Sequence, residues 1–288
     1  MRIRLVHRKT PPAYGSMMPT TVSAALAMSG LVPFEAKVLL AHVMGRDRAW
    51  LAAHGDAPLT REQMLAYDAL ARRRRNGEPV AYLTGSREFF GLELEVTPDV
   101  LIPRPETELL VELALATLDK EASASALDLG CGSGAVALAI AHERPRARVV
   151  GADVSPAAVA LARRNAERLG IGNATFIESD WFQRVPREPF ALIVANPPYV
   201  AEEDVHLSRG DLRFEPAAAL VSGGDGLDAI RAIVAAARGY LAAGSTLALE
   251  HGHDQAQSVQ TLLSNAGFGE VASARDLAGI PRVTYGRV

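Results

Sequence analysis

The carboxyl-terminal two thirds of the chain alternate short apolar runs with stretches in which apolar residues recur at helical spacing. The apolar runs predict strands near residues 125–129, 147–153, 174–177, 190–195 and 245–250, with a last pair near 267–273 and 282–287. Strands that alternate with helices in this way form a doubly wound α/β sheet. A ligand of such a sheet binds at the carboxyl ends of the strands, so motifs at those ends are the candidates for a functional site.

The amino-terminal part has a different pattern. From Thr20 to about Asn76 it predicts short amphipathic helices at residues 22–28, 35–44 and 49–54, and a longer helix from Arg61 that Thr60 and Gln63 would cap. Four arginines at 72–75 end this helix, where positive charges are stabilised by the negative end of the helix dipole. Their alternative interpretation is a patch for an acidic partner or RNA.

A chain of 288 residues is long enough to form two domains. Residues 1–16 show no period and are interpreted as a disordered tail or an annotation artefact, while 17–84 predict a helical domain. The alternating residues at 92–96 predict a β-hairpin within a linker at 85–104. Residues 105–288 then form the α/β domain.

A glycine-rich loop follows the strand at 125–129. Glycines at 130, 132 and 134 allow a tight turn and bring backbone N–H groups close to a ligand. Asp153 ends the next strand, 19 residues after Gly134, which is about the spacing at which a carboxylate reaches ribose hydroxyls. Taken alone, this loop also fits a nicotinamide-dependent dehydrogenase.

An Asn-Pro-Pro-Tyr turn at 196–199 follows the strand at 190–195. Pro197 and Pro198 stiffen the backbone, and the Asn196 side-chain oxygen together with the Pro197 carbonyl can accept both protons of a planar NH2 group. Tyr199 adds an aromatic wall. The turn therefore indicates methylation of an amide or amino nitrogen, and the alternative is a loop breaker after an apolar strand.

The order of these motifs resembles that of class I S-adenosylmethionine (SAM) methyltransferases, which have a Rossmann-like fold. Between Asp153 and the Asn-Pro-Pro-Tyr turn stands Asp180-Trp181. The resemblance implies that Trp181 packs on the adenine of SAM and that Asp180 accepts from its amino group. Trp181 as an ordinary core or rim aromatic is the alternative.

Composition narrows the possible functions. The net charge of −3 and the pI near 6.2 give no overall attraction to nucleic acid. Cys131 is the only cysteine, which excludes disulfides and cysteine zinc sites. No apolar run is long enough to span a bilayer, so we expect a cytoplasmic protein. His251 and His253 lack a third ligand in register, so no metal is expected.

The chain resembles the PrmC/HemK family of protein-(glutamine-N5) methyltransferases from about residue 20 to its carboxyl terminus. The stretch Ile-Pro-Arg-Pro-Glu-Thr-Glu at 102–108, together with Asn-Pro-Pro-Tyr at 196–199, makes the resemblance specific. Further matching stretches lie at 77–85, 87–89, 128–134, 179–182, 214–216, 224–227 and 250–252.

The resemblance implies the reaction, the substrate and the site. The substrate is the glutamine of the Gly-Gly-Gln loop of class-1 peptide chain release factors, methylated directly by SAM with S-adenosylhomocysteine as product and without a metal. The helical domain would dock the release factor. Catalytic roles fall to Asn196, Pro197 and Tyr199, and these residues with Pro198, Phe89 and Arg104 would contact the substrate. The implied SAM site comprises Asp128, Gly130, Cys131, Gly132, Ser133, Gly134, Asp153, Asp180, Trp181 and Asn196.

Other functions stay open. A glutamine methyltransferase of a ribosomal protein would use the same pocket. An adenine-N6 nucleic-acid methyltransferase shares the target chemistry, but the acidic balance and the missing target-recognition domain argue against it. A catalytically silent SAM-binding assembly factor would not need the intact turn. A dehydrogenase is disfavoured because nothing beside the loop supplies an acid or base for hydride transfer.

Overall fold

The computed structural model describes residues 20–208 and 210–288. They fall into two compact units, a helical unit that ends at Thr84 and a sheet unit from Gly85 to Val288. The tail predicted at 1–16 lies outside the described residues.

In the helical unit, residues 20–84 form helices α1 Val22–Met28, α2 Pro33–Met44, α3 Arg48–Ala53, α4 Arg61–Arg75 and α5 Val80–Thr84. The cap predicted for α4 is present, because Gln63 N–H donates to Thr60 Oγ1 and Thr60 N–H donates to Gln63 Oε1. Leu39, Leu40 and Tyr67 are buried in a small core of this unit. The sequence pattern missed α5, which is one turn long and follows Pro79.

The arginines that end α4 are engaged within the helical unit. Arg74 forms an ion pair with Glu35 at 2.8 Å, and Arg73 Nε donates to Glu78 at 2.7 Å. Arg75 donates to the carbonyl of Ser29. These contacts favour the interpretation of the cluster as a stabilised helix terminus over that of a free basic patch.

The sheet unit begins with an antiparallel hairpin, β1 Ser86–Phe89 and β2 Leu92–Glu95. A 3₁₀ helix at Pro105–Thr107 leads into α6 Glu108–Thr117. The main sheet then follows, with the elements β3 Ser125–Leu129, α7 Ala135–Glu143, β4 Arg148–Asp153, α8 Pro156–Leu169, β5 Ala174–Glu178, β6 Phe190–Ala195, α9 Asp228–Ala237, β7 Leu241–Glu250, α10 Ala256–Asn265, β8 Gly269–Arg275 and β9 Pro281–Arg287.

The strand order of the main sheet is β5-β4-β3-β6-β7-β9-β8. Strands β3 to β7 pair in parallel, and β9 runs antiparallel to both of its neighbours. The chain builds outward from β3 towards β5 and then returns to place β6 on the other side of β3. The loops after β3 and β6 therefore meet at the switch point where doubly wound sheets bind ligands. The predicted fold class is confirmed.

Both faces of this sheet are buried, as parallel sheets require. Leu192 and Val194 face a core that includes residues of α6, α7 and α8, whereas Ile193 and Ala195 face a second core with residues of α9 and α10. This alternation fixes the register of β6, because a shift by one residue would exchange its two faces. The turn that follows β6 is therefore held at a defined height above the sheet.

Candidate active site

A cavity of about 320 Å³ opens at the carboxyl ends of the parallel strands. It brings together most of the residues that the sequence predicts for the cofactor, and one of the two prolines of the turn. These lining residues are Asp128, Gly130, Cys131, Gly132, Ser133, Asp153, Asp180, Trp181, Asn196 and Pro198. Gly134, Pro197, Tyr199, Phe89 and Arg104 do not line it.

The glycine-rich loop is tied to the end of β4. Gly130 N–H and Cys131 N–H both donate to the Ala152 carbonyl, at 2.8 and 3.1 Å. Gly132 has a φ of 53°, and a Cβ added there would meet no atom within 4 Å. Gly134 has a φ of 83°, but its added Cβ would lie 3.1 Å from both Ala162 and Leu138. Gly132 therefore leaves space for a ligand, whereas Gly134 serves close packing against the helices.

Asp153 holds this loop from the end of β4. Its Oδ2 accepts from Gly132 N–H at 2.8 Å, and its Oδ1 accepts from Ser155 N–H at 2.9 Å. Burial raises the pKa of Asp153 in spite of these bonds. Each carboxylate oxygen has a second acceptor position. Asp153 can thus fix the loop and also accept from a ligand hydroxyl in the cavity.

Asp128 stands deeper, within β3, and is 2 % exposed. Its Oδ2 accepts from Ala137 N–H at 3.0 Å, which satisfies one of the amides in the first turn of α7. Burial, with Asp153 nearby, raises the pKa of Asp128 to about 7. Asp128 therefore anchors α7 beneath the loop as well as lining the cavity.

Trp181 forms another part of the wall, in a backbone conformation that is rare for a large side chain. Its φ is 45°, and its carbonyl accepts from Ser179 Oγ at 2.8 Å. The Trp181 ring lies 3.8 Å from the position that a Cβ on Gly130 would take. The neighbouring Asp180 is exposed and accepts from Gln183 Nε2 at 2.8 Å.

The Asn-Pro-Pro-Tyr turn leaves β6 on the opposite side of the switch point. Asn196 Nδ2 donates to Thr107 Oγ1 at 3.0 Å, which directs the other end of this amide elsewhere. Among the described residues, no donor reaches the Pro197 carbonyl. The Tyr199 hydroxyl donates to Glu250 Oε1 at 3.4 Å, and burial raises the pKa of Tyr199. The turn therefore keeps two acceptors available, Asn196 Oδ1 and the Pro197 carbonyl.

Glu250, at the end of β7, is 1 % exposed. Burial is the main cause that raises its pKa to about 7, while the hydrogen bond from Tyr199 opposes the rise. Within the described part of the chain its Oε2 has no hydrogen-bond partner. In the sequence, Glu250 is only the last residue of a predicted strand and the first residue of the matching stretch at 250–252.

The histidines that follow Glu250 are not arranged as metal ligands. Both ring nitrogens of His251 are engaged, with the Gly252 carbonyl and with Thr284 Oγ1, each at 2.8 Å. The His253 side chain is 73 % exposed. Residues 20–208 and 210–288 contain no group of three or more His, Cys, Asp or Glu side chains that could hold a metal ion.

Phe89 and Arg104, which were predicted to contact the substrate, do not line the cavity. Phe89 is 1 % exposed and belongs to the core beneath the hairpin, so the prediction that it faces the cleft is corrected. As the last residue of β1 it points inward, because alternate residues of a strand face opposite sides. Arg104 is ion-paired to the buried Glu215, which also accepts from Ile102 N–H at 3.1 Å.

Several lining residues were missed by the sequence analysis. One group lies in the segment before α6 and another in the segment that follows Glu215; they comprise Asp99, Val100, Leu101, Pro103, Thr107, Pro216, Ala218 and Ala219. Both segments overlap matching stretches, at 102–108 and 214–216. What the sequence could not supply was the contact between them, which Arg104 and Glu215 provide across 111 positions.

The cavity fits SAM. An open space stands at Gly132, backbone amides of the loop border it, and the Asp153 carboxylate and the Trp181 ring line the same cavity. Fold and site together define a class I SAM-dependent methyltransferase. In the residues that the structure describes, no helix is both long and apolar enough to cross a membrane.

Comparison with known proteins narrows this class. Residues 107–227 match the model of the methyltransferase small domain, and residues 20–85 match that of the PrmC N-terminal domain. The release factor glutamine methyltransferase of Burkholderia pseudomallei is 52 % identical over 276 residues, which cover 94 % of this chain and 97 % of that protein. The release factor glutamine methyltransferase of Escherichia coli K12 is 49 % identical over 88 % of this chain and 91 % of its own.

The chain therefore belongs to the release factor glutamine methyltransferase family, and the predicted family and enzyme class are confirmed. Among solved structures, the T. thermophilus 16S rRNA N2 G1207 methyltransferase, in complex with AdoMet and guanosine, is 24 % identical. It aligns with a TM-score of 0.52 over 70 % of this chain and 49 % of its own. This likeness concerns the fold alone.

Proposed function

We propose that this protein uses SAM to methylate the side-chain amide nitrogen of the glutamine in the Gly-Gly-Gln motif of class-1 peptide chain release factors. The observation that carries the proposal is the hydrogen bond from Asn196 Nδ2 to Thr107 Oγ1. Because the amide nitrogen of Asn196 is used there, its oxygen is left to accept from a substrate NH2. Membership in the family supports a release factor as the substrate.

The chemistry follows from how the turn would hold the amide. An amide nitrogen is a weak nucleophile because its lone pair is delocalised into the carbonyl. Asn196 Oδ1 and the Pro197 carbonyl accept its two protons and hold the nitrogen in line for attack. They also stabilise the positive charge that develops on it. Bound SAM supplies a methyl group already activated by its sulfonium, and S-adenosylhomocysteine is the product. The methylated amide releases its extra proton to water, so no dedicated general base is required.

The remaining residues of the site take supporting roles. Pro197 and Pro198 keep the turn rigid, since both have a fixed φ and no N–H. Tyr199 borders the amide. The loop from Gly130 to Gly134, with Asp128 and Asp153, would hold SAM. Trp181 would pack on its adenine, and Asp180 would accept from the adenine amino group. The Arg104 side chain is 30 % exposed although it is paired with Glu215, so it remains accessible to the substrate.

The helical unit is proposed to dock the release factor. Met28, Val32, Phe34 and Leu65 of this unit are large apolar side chains that are each more than half exposed. Aromatic residues and Met are enriched at protein interfaces relative to the rest of the surface, which supports a docking role for Phe34 and Met28. Because the proposed substrate acts on ribosomes, we propose that the enzyme works in the cytoplasm.

The test is a transfer assay with radiolabelled SAM and three acceptors offered separately to the same enzyme. They are a purified class-1 release factor, a ribosomal protein fraction and adenine-containing DNA. Label on the release factor alone supports the proposal. Label confined to the ribosomal proteins or to the DNA would overturn it in favour of the corresponding alternative, and SAM binding without any transfer would indicate a silent assembly factor.

A further inference from the structure

We propose that Gln255 is a positioning residue that fixes the Asn-Pro-Pro-Tyr turn by holding the backbone carbonyl of Tyr199. The proposal rests on the proposed function, because this turn is the part of the site that would hold the glutamine amide. Gln255 stands immediately before α10 and does not line the cavity. It would therefore act on the reaction only through the turn.

The turn needs an anchor because its prolines restrict only part of it. At its first end the turn leaves β6, where Ala195 pairs with β3 and β7. Each proline has a fixed φ and pushes the residue before it towards an extended ψ, within a range of about 40°. These effects restrict Asn196 and Pro197 but leave ψ of Pro198 and both torsions of Tyr199 free. The Pro197 carbonyl is therefore fixed in place only if the turn is also held at its Tyr199 end.

Gln255 supplies a direct bond at that end. Its Nε2 donates to the Tyr199 carbonyl at 3.1 Å and to the Asp225 carbonyl at 3.2 Å, while its Oε1 accepts from Gly252 N–H at 2.8 Å. Carbonyls only accept and a backbone N–H only donates, so a single orientation of the Gln255 amide makes all three bonds. Gln255 thus ties the turn to the loop before α9 and to the loop after β7.

The loop before α9 encloses the same carbonyl. Gly226 in this loop has a φ of 75°, and a Cβ added there would overlap the Tyr199 carbonyl oxygen and lie 2.8 Å from Gln255 Nε2. Only glycine therefore allows the loop to pack here without displacing the carbonyl. The close approach of Gly226 is independent of the hydrogen bonds of Gln255 and concerns the same atom.

The residue after Tyr199 is paired with the backbone that leads into this loop. Val200 N–H donates to the Leu220 carbonyl at 2.8 Å, and Ser222 N–H donates to the Val200 carbonyl at 2.9 Å. This bridge does not involve the Gln255 side chain. A variant of Gln255 should therefore keep the segment attached and the protein folded, while the turn gains freedom at Tyr199.

The first experiment compares Gln255→Met and Gln255→Glu, with Gln260→Met as the matched control. Methionine has about the length of glutamine but makes none of the three bonds. Glutamate can still accept from Gly252 N–H, but when ionised it cannot donate to either carbonyl. Gln260 lies within α10, and its Nε2 donates to Ser273 Oγ at 2.8 Å on the edge strand β8.

At saturating SAM and about pH 8, where glutamate is ionised, we expect both Gln255 variants to lower kcat about 10- to 100-fold. Kd for SAM should stay close to the wild-type value, and Gln260→Met should keep wild-type kcat. Wild-type kcat in Gln255→Met, or an equal loss in Gln260→Met, would overturn the proposal. Wild-type kcat in Gln255→Glu would also overturn it, because the bond to Gly252 would then be the one that matters.

Gly226→Ala tests the contact from its other side. The added methyl group must displace the Tyr199 carbonyl, so kcat should fall while Kd for SAM is kept. Gly279→Ala is the control for backbone strain, because Gly279 has a φ of 78° and a Cβ there would meet no atom within 4 Å. A Gly226→Ala enzyme as active as Gly279→Ala would contradict the proposal.

Hydrogen–deuterium exchange with bound S-adenosylhomocysteine needs no acceptor protein. Peptides that cover residues 199–203 and 220–224 contain the Val200 and Ser222 amides. They should exchange faster in Gln255→Met than in the wild type or in Gln260→Met. Unchanged exchange in Gln255→Met would overturn the anchoring role. If exchange changes as expected but the wild type fails to methylate release factors, the proposed function is overturned and the anchoring role stands.

Discussion

Asn196 and Thr107, 89 positions apart in the chain, are joined by a 3.0 Å hydrogen bond from the asparagine amide to the threonine hydroxyl. The bond connects the turn after β6 to the 3₁₀ helix that precedes α6. Both residues line the same cavity, together with the glycine-rich loop after β3. The proposed site for the methyl acceptor is therefore assembled from segments that meet only in the folded sheet unit.

Asn196→Ala should remove turnover while leaving SAM binding nearly intact. The substitution deletes an acceptor that would be used in the transition state, and we expect a loss of about 2–4 kcal/mol in kcat/KM. Steady-state kinetics give this number, and isothermal titration with SAM gives the control. Equal losses in turnover and in SAM affinity would contradict the role assigned to Asn196.

Gly132→Ala and Gly134→Ala should fail in different ways. Both glycines have positive φ, so alanine at either position costs about 1–2 kcal/mol of stability. The Gly132→Ala methyl group enters the open space of the cavity and should weaken SAM binding. The Gly134→Ala methyl group crowds Ala162 and Leu138 at 3.1 Å, so unfolding should show the larger loss. Calorimetry measures the SAM affinity of both variants, and denaturant unfolding measures their stability. A larger loss of SAM affinity in Gly134→Ala, with a larger loss of stability in Gly132→Ala, would contradict this assignment.

Glu215→Ala should loosen one wall of the cavity. Glu215 binds Arg104 and Ile102 N–H, and residues next to both ends of this bridge line the cavity. We expect a loss of about 2–3 kcal/mol in the free energy of unfolding, limited because Arg104 regains partial contact with water. SAM affinity should fall as well. Glu121→Ala, which breaks the exposed pair with Arg146, serves as the control and should change neither quantity appreciably.

Replacing Glu250 by Gln should change how stability depends on pH. Burial raises the folded-state pKa of Glu250 from 4.5 to about 7. The folded protein therefore binds more protons than the unfolded chain between these values. Its stability from this group is fully present below about pH 4.5 and is lost as the pH rises to about 7.

Relative to Glu250→Gln, the wild type should thus lose up to about 3 kcal/mol over this interval. Denaturant unfolding of both proteins at pH 5 and pH 8 measures the difference. A wild type that gains stability relative to the variant as the pH rises would show that the sign is wrong.

The sequence predicted correctly those elements that depend on a short local pattern. The strands at 125–129 and 190–195 were found at their observed bounds, because a buried parallel strand is a short apolar run between turn residues. The start of β7 was missed. Residues 241–244 are Leu-Ala-Ala-Gly, with no clear strand pattern, and they extend the sheet by pairing Leu241 with Phe190 beyond an irregularity in the ladder.

Parts of the site that depend on tertiary contacts could not be read from the sequence. Phe89 looked like a cleft aromatic, yet the tight hairpin turns it into the core, and nothing in its neighbours along the chain reveals that. Thr107 lay inside a matching stretch, but its hydroxyl acquires a role only when β6 brings Asn196 to it. Glu250 likewise comes near the site only through the folded chain, where the Tyr199 hydroxyl donates to it.

The most direct measurement is the location of the methyl group. A class-1 release factor treated with enzyme and SAM is digested, and the peptide that contains Gly-Gly-Gln is fragmented in a mass spectrometer, beside a release factor in which that glutamine is replaced by alanine. The account predicts one added methyl group, on the side-chain nitrogen of that glutamine, and none in the alanine control. A methyl group elsewhere in the factor, or equal incorporation in the control, would contradict it.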